Sequence, residues 1–207
     1  MFDKLTQKIA SDLNVATEIV TKFDKEKIVS IFGSARTPDT HGFYIATKEI
    51  ATKLAQKGFT ICTGGGPGLM QAASEGGKAG GGKTLGLSIK LPHEQKPNEY
   101  LDENILFQNF AQRKIVFSAV SNAYVVVPGG YGSLDELFEV LTLMQCEVIK
   151  RIPVVLYDKN YWAPMMEFIK GSLLSEKMIS PEDVEMIHLA ETVDDVVNFI
   201  ILNTNNK

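Results

Sequence analysis

The chain has 207 residues, 44% hydrophobic and 22% charged, with a formal net charge of −4. That length and balance suit one globular unit that buries its own core, and they exclude wholesale disorder. An acidic balance with no Lys/Arg block excludes a broad nucleic-acid or membrane-binding surface, and no run approaches the ~18 apolar residues of a membrane span. The opening residues MFDKLTQKIASDL lack the apolar core of a signal peptide, so the expected location is the cytoplasm.

Along the chain, Phe2, Leu5, Ile9, Leu13, Ala16, Val20 and Phe23 recur at helical spacing and predict a helix with one apolar stripe. Residues 1–24 read as a helical extension packed on a single domain, the whole covering 1–207. KIVSIFGSA is a short apolar strand, and residues 40–57 are a helix stopped by Gly58. FTICTGGGPG is a second strand, LMQAASEGGKAGG a helix fraying into glycine, KTLGLSIKLP a third strand and ENILFQN a weaker fourth. Helix FAQRKIVFSAVSN, strand AYVVVPGGYG, helix SLDELFEVLTLMQCEVIK and strand RIPVVLYD follow. Helix YWAPMMEFIKGSLL, a short strand near EMIHLA and helix TVDDVVNFIILN complete the order. Several strands are apolar on both faces, as when helices cover both sides of a parallel sheet. The predicted fold is α/β: a doubly wound, mostly parallel, Rossmann-like sheet with helices on both faces. Ligands bind such folds beyond the carboxyl ends of the strands.

GKAGGGKT, from Gly77 to Thr84, fits the nucleotide-triphosphate pattern G-x-x-x-x-G-K-[ST]. Such a loop must follow a strand and open a helix, so that its amides meet phosphate. Here the context is reversed, and Lys83 reads as an ordinary strand-edge residue. Three other turns have the correct context: Gly33-Ser34-Ala35, Gly64 to Gly68, and Pro128 to Ser133. Glycine lets amides approach a phosphate closely, although each turn alone could equally be a tight βα connection. Three on one sheet edge favour a phosphorylated ligand.

Ser133 and Glu136 have the spacing of a capping box, with Ser133 as N-cap. The alternative places Glu136 beside the phosphate cradle, facing a bound sugar. Arg113 shares a helix face with Phe110 and Phe117. It is either a snorkelling or ion-paired arginine, or a cation facing an anionic ligand. Cys62 and Cys146 have no metal-type spacing, and Cys62 reads as a buried thiol. Leu137, Val140, Leu141 and Met144 form a stripe that is either core or an interface.

Together GGGPGLM, LPHEQ, QRK and PGGYGSLDE resemble the LONELY GUY (LOG) family of nucleoside 5′-monophosphate phosphoribohydrolases, whose signature is PGGxGTxxE. The resemblance covers roughly residues 27–202; Ser133 replaces the usual threonine and keeps its hydroxyl. It implies hydrolysis of a purine nucleotide N-glycosidic bond, giving free base and ribose 5-phosphate, with cytokinin riboside monophosphates or AMP as substrates. It implies Arg113 and Glu136 as catalytic residues. Lys114, Gly129, Gly130, Tyr131, Gly132, Ser133 and Glu94 are implied ligand contacts, and Gly33, Ser34, Gly65, Gly66 and Met70 complete the candidate substrate set. It implies a homodimer or larger homo-oligomer. Members are often described as lysine decarboxylases, but these residues give no basis for that chemistry. No cofactor and no metal are expected, since His41, His93 and His188 lack ligand spacing. The rivals are a general AMP nucleosidase without hormone role, a nucleotide-sensing regulator, and a non-catalytic molybdenum-cofactor or nucleotide carrier of the same fold.

Overall fold

A computed structural model describes residues 2–23, 26–92 and 96–204. Its strands are β1 (Ile28–Phe32), β2 (Thr60–Thr63), β3 (Thr84–Ile89), β4 (Glu103–Phe107), β5 (Ala123–Val126), β6 (Val154–Tyr157) and β7 (Ile187–Ala190). They form one sheet in the order β4-β3-β2-β1-β5-β6-β7, and every pairing is parallel. The chain winds outward from β1 to β4, then returns to lay β5 against the other side of β1. The direction reverses there, so a crevice opens between the carboxyl ends of β1 and β5.

The helices are α1 (Phe2–Phe23), α2 (Gly42–Gln56), α3 (Leu69–Ala79), α4 (Phe110–Val120), α5 (Tyr131–Gln145), α6 (Lys159–Phe168), α7 (Pro181–Val184) and α8 (Val193–Thr204), with a π-helical stretch Ile169–Leu174 after α6. Strand residues alternate between two apolar clusters, as the period-2 geometry of a strand requires. Ile28, Phe32, Cys62, Leu85, Tyr124 and Val126 meet α1, α4, α5 and α6. Val29, Ile31, Ile61, Ala123 and Val125 meet α2, α3 and α8. The predicted doubly wound fold is therefore observed, with ENILFQN as the edge strand β4. Among the described residues no helix is long and apolar enough to cross a membrane.

The four-residue α7 was not legible as a helix. It is held by Pro181 in its first turn and a Ser180–Asp183 capping box, and it is too short to show a period. The stripe Leu137, Val140, Leu141 and Met144 is core within this one chain. On α1 the buried face is Asp12, Ala16, Ile19 and Phe23, while Leu13 is 46% exposed. The helix is thus turned from the expected stripe, and a carboxylate occupies a core-facing position. The side chains of Phe2 and Leu5 lie outside the described residues.

The GKAGGGKT segment closes α3 and enters β3, so it is not a P-loop. Its glycines serve packing against α2: a Cβ on Gly80 would meet Ala55 Cβ at 2.7 Å, and one on Gly82 would meet the same atom at 2.8 Å. Lys83 pairs with Glu26.

Candidate active site

The crevice at the β1/β5 reversal is a cleft of about 640 Å³. Three strand-to-helix loops build its walls and lock one another. The amide of Ser34, after β1, donates to the carbonyl of Pro128, after β5, at 3.1 Å. The carbonyl of Ser34 accepts from the Leu69 amide at 2.8 Å, tying the start of α3 to the same loop. Asn98 Nδ2 donates to the carbonyls of Gly65 and Gly66 at 3.2 and 3.1 Å. Tyr161 on α6 donates its hydroxyl to the Gly129 carbonyl at 2.7 Å.

Gly65 has φ +73°, and a Cβ there would stand 2.5 Å from Ser88 Oγ and 3.0 Å from Asn104 Oδ1. Gly65→Ala is therefore expected to cost about 1–3 kcal/mol, from left-handed strain and crowding together. Thermal denaturation against the unsubstituted chain would check it; an unchanged melting temperature would contradict the geometry.

Helix α5 starts at Tyr131, with Gly130 as its N-cap and no side-chain cap bond. The expected capping box is corrected on this point. Ser133 is the third helical residue, packed beneath Gly129, and Glu136 lies a turn further on. The first ladder bond is Leu134 N to Gly130 O at 3.0 Å, so the amides of Tyr131, Gly132 and Ser133 precede it. Such amides, with the helix dipole behind them, form an anion site.

Glu136 does not reach back to the helix start. Its carboxylate is 7% exposed and accepts a hydrogen bond from Arg113 Nη2 on α4. The Arg113 guanidinium lies between two rings, 5.1 Å from the Phe110 centroid and 5.6 Å from that of Phe117. The shared helix face therefore serves both sequence alternatives: an ion pair and cation–π contacts, at the wall of a cleft. Burial pushes the Glu136 carboxyl above its ordinary 4.5, and the Arg113 charge and hydrogen bond partly offset this. Beneath them Cys62 is fully buried, its thiol pushed up to about 12 chiefly by desolvation, so it supplies no nucleophile.

Of the sequence-selected residues, Gly33, Ser34, Gly65, Gly66, Met70, Arg113, Gly130, Tyr131, Gly132, Ser133 and Glu136 line this cleft. Gly129 is not in the lining but packs against Ser133, and Glu94 lies outside the described residues. Lys114 is not in the lining; its ammonium pairs with Asp135 at 3.0 Å and Glu139 at 2.7 Å. Sequence reasoning passed over Arg36 and Lys96, which line the cleft and have no carboxylate partner among the described residues. A basic residue three positions after Gly33, in a loop already marked as a candidate, was the available signal for Arg36.

A family model described as "possible lysine decarboxylase" matches residues 70–200. A Mycobacterium tuberculosis protein named cytokinin riboside 5′-monophosphate phosphoribohydrolase is 30% identical over 72% of this chain and 80% of its own length. A probable enzyme of the same name from Oryza sativa is 28% identical over 82% of this chain and 69% of its own. Among solved structures, the molybdenum cofactor carrier protein of Chlamydomonas reinhardtii superposes with a TM-score of 0.65 at 23% identity. That match covers 88% of this chain and all of the carrier. The family match over most of the chain and the phosphoribohydrolase relatives agree: the chain belongs to the LONELY GUY (LOG) family.

Proposed function

We propose that the protein hydrolyses the N-glycosidic bond of purine nucleoside 5′-monophosphates, releasing the base and ribose 5-phosphate. The observation that carries this reading is the buried Arg113–Glu136 contact at the wall of a glycine-lined cleft. Cleavage passes through an oxocarbenium-like state with positive charge on the ribose. The Glu136 carboxylate stabilises that charge or orients the attacking water, and its burial makes the interaction strong. Arg113 opposes the protonation that burial favours, and positions the carboxylate. As a guanidinium it is no proton donor, so its action on the base or phosphate is electrostatic. The early amides of α5 and the cations Arg36 and Lys96 receive the phosphate, whose remote binding energy fixes the reacting geometry. In this reading the protein works as a homodimer or larger homo-oligomer.

Arg36→Ala is expected to raise KM for AMP about 10-fold, equivalent to ~1.4 kcal/mol, with kcat changed less. Steady-state kinetics with AMP and with adenosine would test this; an equal effect on both would remove Arg36 from the phosphate site.

The function itself is tested by incubating the protein with AMP and with isopentenyladenosine monophosphate, then separating free base and ribose 5-phosphate by chromatography. Release from both establishes the reaction, and the ratio of rates separates a hormone-directed enzyme from a general nucleosidase. No release, with tight binding of molybdopterin, would instead support the carrier reading suggested by the structural neighbours. The buried carboxylate argues against that reading, because binding an anionic pterin gains nothing from one.

A further inference from the structure

Helix α1 lies outside the sheet and contributes no residue to the cleft, yet it buries a carboxylate. Asp12 is 2% exposed. Its oxygens accept hydrogen bonds from the Gln108 amide at 3.1 and 2.9 Å, from the Asn109 amide at 2.9 Å and from Asn109 Nδ2 at 3.0 Å. Asn109 is the N-cap of α4, and its own side chain makes no capping bond. That side-chain amide is turned to Asp12, which binds the backbone at and just before the N-cap and so places a charge in front of the helix start. Further along α1, Lys22 pairs with Glu103 of β4 at 2.6 Å, and Ala16, Ile19 and Phe23 join the core.

The grip bears directly on the site. Asn109 is the residue Asp12 holds through both nitrogens, and the Asn109 carbonyl accepts the amide of Arg113. That bond is long, at 3.5 Å, so the first turn of α4 is weakly closed from within. An anion in front of the helix start, bonded to its N-cap, compensates for the weak closure.

We propose that Asp12 is a positioning residue for the reaction: through Asn109 it fixes the first turn of α4, and thereby holds Arg113 against Glu136. The N-terminal helix is thus a working part of the active site. This inference rests on the roles given to Arg113 and Glu136 above.

Misplacing a catalytic group by about 1 Å costs roughly 10–100-fold in rate. Asp12→Ala is therefore expected to lower kcat for AMP by that factor while KM changes less than about 3-fold. A second readout does not need turnover. The Glu136 carboxyl is faced by Arg113 and Lys114 of α4, Asp135 of its own helix, Cys62 of β2 and Tyr124 of β5. Arg113 is the group that most strongly holds it down. Loosening Arg113 should raise the midpoint of its titration.

That midpoint is to be followed by carbon-13 NMR of carboxyl-labelled glutamate in the full chain, with Glu136→Gln assigning the signal. Ile200→Val, in the apolar cluster on the opposite face of the sheet, serves as a stability control. The expected result is an upward midpoint and lower kcat in Asp12→Ala, a smaller change in Asp12→Asn, and neither change in Ile200→Val. An unmoved midpoint and unchanged kcat in folded Asp12→Ala would overturn the proposal and leave Asp12 a tether. If Asp12→Ala does not fold, Asp12→Asn decides on the same terms, because it keeps an acceptor oxygen and loses the charge. If the wild-type protein releases no base, the reaction assignment has failed, and the titration alone decides the positioning role.

Discussion

Glu136→Gln is expected to lower kcat for base release by about 10²–10³-fold while the protein stays folded. The amide nearly matches the carboxylate in size, so the walls of the cleft should hold their shape. Only the charge proposed to face the ribose is removed. KM should change little, because the proposed phosphate contacts are untouched. The wild-type protein should also lose activity on acidification with a midpoint above 4.5, since burial raises the Glu136 carboxyl and only the ionised form can stabilise the oxocarbenium charge. This acid limb should be missing from the residual rate of the glutamine variant. Chromatographic assay of both proteins between pH 4 and pH 8 measures both effects. Undiminished turnover in Glu136→Gln would remove the residue from the mechanism.

Arg113→Met should be the more damaging change, because it affects both rate and stability. Methionine can occupy the space between Phe110 and Phe117, so most of the packing is kept. What is lost is the partner of a buried carboxylate. Removing one member of such a pair costs about 3–5 kcal/mol when the remaining charge cannot be relieved. Here it can be relieved by taking up a proton. Burial already raises Glu136 in the folded chain, so its contribution is favourable at low pH and is lost as pH rises through the raised value. Without Arg113 that value rises further, and the loss extends over a wider pH window. The variant should therefore lie well below the wild type in melting temperature at pH 8 and much closer to it at pH 5. The opposite pH trend would show that Glu136 is not the group left unpaired. Activity should fall about 10³-fold, since both the electrostatic and the orienting contributions disappear.

Much of this site is local in sequence. The glycine-bearing loops follow apolar strands and precede helices, and that context alone separated them from the false P-loop at Gly77–Thr84. Arg113 was legible because a cation between two phenylalanines at one-turn spacing needs a reason. Glu136 was ambiguous because S-x-x-E describes a capping box equally well. The structure rules out the capping box by starting α5 at Tyr131, which places Ser133 inside the helix; the catalytic role of Glu136 belongs to the proposal.

Sequence alone determined the order of the main elements apart from α7, the parallel doubly wound sheet, and the three glycine-bearing turns on one edge of it that are proposed to hold phosphate. These follow from periodicity and from glycine placement, which act over a few residues. Only the tertiary structure decided which charges meet. It joined Arg113 to Glu136 across two helices, gave Lys114 to Asp135 and Glu139, and left Arg36 and Lys96 facing the cleft. It also turned α1 so that Asp12, not Leu13, faces inward. Apolar periodicity cannot reveal such a residue, because a carboxylate is buried only when amides from a distant part of the chain are there to bind it.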